Sequence, residues 1–77
     1  MILDNYKSFP NKSLSQKDLK KKFLKIYANL PLGIRQEIIL VLDDNKPITW
    51  NVAFIEIKSD TLLSKIILDK LKKLKII

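Results

Sequence analysis

The sequence predicts a small α+β domain in the order helix, β-hairpin, helix, helix, and three observations carry that reading. Two segments, one from Ser15 to Leu30 and one after Thr61, set apolar residues at helical spacing with lysines over the remaining surface. Between them the run Glu37-Ile38-Ile39-Leu40-Val41-Leu42 meets the turn-forming cluster Asp43-Asp44-Asn45-Lys46-Pro47. The chain has 77 residues, 47% of them hydrophobic, which supports one core and no second independent domain.

Residues 1–14 hold Pro10, two asparagines and scattered serines without a period, so they read as an irregular lead-in, with Ile2, Tyr6 and Phe9 as the residues able to dock on the core. The domain proper is expected over residues 15–77. Ser15-Gln16-Lys17-Asp18 puts a capping hydroxyl three positions before a carboxylate, a variant of the capping box, and Asp18 suits the positive end of the helix dipole. Leu19, Phe23, Ile26, Tyr27 and Leu30 then form one stripe, and Pro31 stops the pattern, giving a first helix over about residues 16–29.

Leu30-Pro31-Leu32-Gly33 is a breaker, followed by room for one helical turn over Ile34 to Gln36 before the first strand. Pro47-Ile48-Thr49 returns as a short second strand that its proline confines to an edge. The segment from Trp50 to Lys58 is ambiguous. Trp50, Ala53, Phe54 and Ile57 fit a helix stripe, while Trp50, Val52 and Phe54 alternate like a strand. A helix is preferred because Thr49 is a good cap and Asn51, Glu56 and Lys58 then fall largely off the stripe. Ser59-Asp60-Thr61 breaks the chain again, and Leu62, Leu63, Ile66, Ile67, Leu71 and Leu74 oppose Lys65, Asp69, Lys70, Lys72 and Lys73 in the last helix. The two long helices are expected to cover one face of the two-stranded ribbon.

Leu30-Pro31-Leu32, Arg35, Glu37, Asp43, Pro47-Ile48-Thr49-Trp50-Asn51, Ala53, Glu56-Ile57-Lys58 and Leu71-Lys72-Lys73-Leu74 together resemble a family of short uncharacterised prokaryotic proteins. The resemblance covers residues 19–77. It implies an autonomous unit and brings no assigned activity, cofactor or site residue.

Composition narrows the function classes. Cysteine is absent, which removes disulfides, thiolate nucleophiles and Cys-based metal sites and agrees with a reducing interior. Histidine is also absent, so Ser-His-Asp chemistry and zinc hydrolysis lack their residues, and no cofactor is expected. The start Met1-Ile2-Leu3-Asp4 lacks the basic and apolar regions of a signal peptide, and the longest apolar run is Ile38 to Leu42; a cytoplasmic chain without a membrane partner is the expectation.

The net charge of +7 is unevenly placed, with seven lysines against Asp4 and Asp18 in residues 1–30 and five against Asp69 in residues 61–77. Lys17, Lys20, Lys21, Lys22 and Lys25 are the densest cationic group and span nearly half the circumference of the first helix, enough to follow phosphates without reading sequence. The same lysines on a solvated helix need no ligand at all. Phe23 and Tyr27 fall on the core side, which disfavours base stacking.

Two sharper patterns compete with this reading. Asp43 or Asp44 followed by Glu56-Ile57-Lys58 resembles the acidic-then-ExK pattern of the PD-(D/E)xK nucleases, which implies divalent-metal phosphodiester cleavage and requires residues 52–58 to be a strand. A helix-turn-helix over Thr49 to Lys73 would present Leu63, Ser64 and Lys65 to a groove, although Ile57 sits where that motif prefers a small residue. The expectation is therefore a small basic interaction module that binds nucleic acid nonspecifically, a protein partner or its own copy, ahead of a nuclease-like fragment.

Overall fold

Three hydroxyl caps start the three helices. The computed structural model describes residues 15–77, and the lead-in expected over residues 1–14 lies outside the described residues. α1 spans Gln16–Ala28, a 3₁₀ turn spans Ile34–Gln36, β1 and β2 span Ile38–Val41 and Pro47–Thr49, and α2 and α3 span Trp50–Lys58 and Leu62–Lys73. The order is the expected helix, hairpin, helix, helix of a small α+β domain. Ser15, Thr49 and Thr61 each accept a hydrogen bond from the backbone N–H three residues on, at 3.1–3.2 Å. Ser15 Oγ also donates to Asp18 Oδ2 at 3.0 Å, so the carboxylate serves the cap's hydroxyl.

The chain stops α2 and α3 without glycine. Asp60 (φ 53°) and Lys75 (φ 60°) occupy the left-handed position just past each helix. Thr61 N–H then reaches Glu56 O at 3.3 Å, and Ile76 N–H reaches Leu71 O at 2.9 Å, satisfying carbonyls the helices leave open. An aspartate or lysine in this conformation costs about 1–2 kcal/mol relative to its ordinary backbone, so each position must be held by its surroundings.

β1 and β2 pair antiparallel, with Leu40 opposite Ile48 and Val41 opposite Pro47, around a turn in which Asn45 (φ 65°) takes the left-handed place. An irregularity between Ile38 and Leu40 inserts an extra residue, Ile39. The bulge turns both Ile39 and Leu40 toward the core and leaves Ile38 and Val41 exposed. Pro47 sits on this edge ribbon, where its missing N–H is tolerated.

The core consists of Leu19 and Phe23 of α1, Leu40, Leu42 and Ile48 of the hairpin, Ala53 and Ile57 of α2, and Ile67, Leu68 and Leu71 of α3. The short α2 is the hub, packing on α1, α3, the 3₁₀ turn and β2. The helix that meets the ribbon most closely is therefore α2, with the two long helices gathered against it. Trp50 lies partly buried at its start, its ring 5.7 Å from that of Phe23.

Candidate anion-binding surface

α1 has two sides of opposite character. Leu19 and Phe23 are buried, whereas Lys17, Lys21, Lys22 and Lys25 are exposed and Lys20 is half-buried. All five sequence-predicted residues thus lie on the solvent side or its margin. They do not form one cluster: Lys20 turns toward the α2–α3 connection, where its Nζ contacts Asp60 Oδ1 and Oδ2 at 2.8 and 3.0 Å, a contact across 40 residues. Lys17 follows it, and both line a hollow of about 300 Å³ with Gln16, Asp60, Ser64, Lys65 and Leu68.

A second hollow, of about 470 Å³, shares Gln16 and Lys65 with the first and adds Asp43, Asp69, Lys70 and Lys73. Together the two hollows make a furrow that starts where α1 meets α3 and follows α3 toward its carboxyl end. Three of its lysines are matched: Lys20 by Asp60, Lys70 by Asp43 at 2.9 Å, and Lys73 by Asp69 at 3.2 Å. Lys17 and Lys65 have no ion pair among the described residues and give the furrow its surplus charge.

The exposed ion pairs are cheap to rearrange, because water and salt screen each of them. At Asp43 the Lys70 hydrogen bond, then the Lys70 charge, hold the carboxyl below the usual aspartate value, with Lys73 adding to the pull. The contribution of that pair is present above the ordinary aspartate pKa and is lost as pH falls through the lowered one.

In the sequence Lys65 stood on the polar face of the last helix and in the helix-turn-helix pattern. Of the three residues that pattern would present, Leu63 packs on the core and Ser64 is buried with its hydroxyl donating to Thr61 O at 2.7 Å; Lys65 alone is exposed. Ile57 is fully buried.

The residues of the nuclease-like pattern are used locally. Residues 50–58 form α2 and not the strand that pattern requires. Glu56 Oε1 accepts from Thr61 Oγ1 at 2.6 Å, Asp44 Oδ1 accepts from Lys46 N–H within the turn, and Lys58 lies over the Phe54 ring. Among the described residues no three carboxylates gather as metal ligands. No described helix is long and apolar enough to cross a membrane.

Neither protein-family models, curated proteins nor solved structures give a significant match to the chain.

Proposed function

We propose that this chain is a small basic interaction module that binds the phosphate backbone of nucleic acid without reading its sequence. The observation that supports it is the furrow that starts between α1 and α3 and runs along α3, lined by lysines from both helices with a cationic surplus. Sequence reading by paired donors calls for residues such as arginine. The sole arginine, Arg35, is instead engaged inside the fold, its Nη2 donating to Tyr27 O at 3.0 Å. The described aromatic rings stack on one another, which leaves lysine charge and counterion release as the source of affinity.

Binding should therefore be weak, indifferent to sequence and steeply salt-dependent. Changing Lys17, Lys20 and Lys65 of the furrow together to glutamine should weaken binding to unrelated oligonucleotides equally and flatten the salt slope by about 2–3 units. The lower end applies while Asp60 keeps Lys20. Fluorescence anisotropy at low salt measures this, and no binding at tens of micromolar protein would overturn the proposal.

A second reading, association with another copy, is favoured by the outer face of the ribbon, where Ile38, Val41 and Pro47 are all exposed on a side that is usually polar. Sedimentation equilibrium should show a dimer that Val41→Lys dissociates, and a wild-type chain that stays monomeric at every concentration overturns it.

A further inference from the structure

We propose that the hollow between the first turns of α1 and α3 is a seat for a single phosphate group, and that Asp60 at its rim engages Lys20 when no phosphate is bound. The inference deepens the nucleic-acid reading and rests on it for the source of the phosphate, a backbone phosphodiester. Three cationic side chains from two helices, Lys17, Lys20 and Lys65, line the hollow, and Asp60 is the sole acidic group among its lining residues. The hollow opens to solvent, and its volume of about 300 Å³ leaves room for a hydrated phosphate. Both helices begin here, so their positive dipole ends add to the lysine field.

Asp60 is placed as an internal surrogate for that anion. Its carboxylate takes both contacts from Lys20 Nζ, at 2.8 and 3.0 Å, in the geometry a phosphate would take with two of its oxygens. The carboxylate remains exposed, so leaving Lys20 exposes no buried charge. The backbone of Asp60 is fixed by the end of α2 through its N–H to Ile57 O at 3.2 Å, independently of where its side chain points. A phosphate entering between Lys17 and Lys65 therefore competes with Asp60 for Lys20 without disturbing the fold.

The test is duplex binding as a function of salt for the full chain and its variants. Asp60→Asn keeps a residue suited to the left-handed conformation and removes the competing charge. It should steepen the salt slope by about 1 unit, because Lys20 becomes one more phosphate contact. That gain should vanish when Lys20→Gln is also present. Lys17→Gln and Lys65→Gln should each flatten the slope by about 1 unit, whereas Lys58→Gln on α2 should not. If duplex binds but Asp60→Asn leaves the slope unchanged, or Lys17→Gln and Lys65→Gln act no more strongly than Lys58→Gln, the seat is overturned and the broader reading stands. If no duplex binds while pyrophosphate shifts the amide resonances of Gln16, Ser64 and Lys65, the seat is supported as a site for free phosphates and the nucleic-acid reading fails. Silence from both ligands overturns both.

Discussion

Replacing Phe23 with alanine is expected to lower stability by about 3–5 kcal/mol, the cost of emptying a large buried aromatic site. Phe23 is fully buried, its ring centroid 5.7 Å from that of Trp50 and 6.2 Å from that of Tyr27. With Leu19 it supplies the fully buried part of α1, so its loss removes most of what holds that helix to the hub. A domain of this size has about 4–11 kcal/mol of total stability, and the variant should therefore be marginal or unfolded at room temperature. Urea titration followed by the fluorescence of Trp50, the sole tryptophan, reports the change directly. Leu32→Ala, at a residue 75% exposed, should stay within about 0.5 kcal/mol of wild type. A Phe23→Ala variant no less stable than that control would mean that α1 is not docked as described.

What the sequence made legible was local chemistry. Ser15 and Thr49 marked two helix starts and Ser59-Asp60-Thr61 bracketed the third, because a hydroxyl three residues ahead of an open N–H is a signal contained in four adjacent residues. The ambiguous segment over residues 50–58 resolved through a contrast the period itself contains. A strand would have put Val52 on the same face as Trp50 and Phe54, whereas Val52 is exposed and Ala53 and Ile57 are buried.

The features that escaped depend on contacts far apart in sequence or on backbone conformations whose usual marker is missing. Asp60 and Lys75 end their helices in the left-handed region where glycine is the common sign, and the only glycine, Gly33, sits elsewhere with an ordinary negative φ. The bulge at Ile39 sits inside an unbroken apolar run that offers no irregularity to read. The candidate site was half visible. The lysines of α1 stood out as a dense run, but the run proved less informative than the meeting of Lys17 and Lys20 with Lys65 and Asp60. That meeting follows from which faces of α1 and α3 touch, and only the folded chain fixes those faces.

Arg35 was read as one residue in a family-like pattern and as the sole arginine, and substituting it with methionine is expected to cost about 2 kcal/mol. Its Nη2 donates to Tyr27 O at 3.0 Å, a carbonyl that also accepts from Leu30 N–H at 3.1 Å, and a hydrogen bond from a charged donor is worth about 1.5–3 kcal/mol. Its guanidinium carbon lies 4.3 Å from the Tyr27 ring centroid, and the Phe54 ring stacks on the same tyrosine at 4.2 Å. Two groups that close cannot share one face, so Tyr27 is held between them, and a cation on an aromatic face adds about 0.5–2 kcal/mol. Against these gains stands Arg35 Nε, buried without an acceptor among the described residues, at a cost of about 1–3 kcal/mol. Methionine keeps the length and removes both the charge and the unpaired Nε, which is why the expected loss is about 2 kcal/mol and not the sum of the two favourable terms. Tyr27 also ties α1 to α2 through its hydroxyl, which donates to Asn51 Oδ1 at 2.6 Å, so Tyr27→Leu should be destabilising in its own right. Arg35→Met and Tyr27→Leu should then combine with a coupling of about 0.5–2 kcal/mol in a double-mutant cycle read by urea unfolding. Strict additivity of the two losses would show that the guanidinium acts only on the backbone carbonyl and that the ring contact contributes nothing.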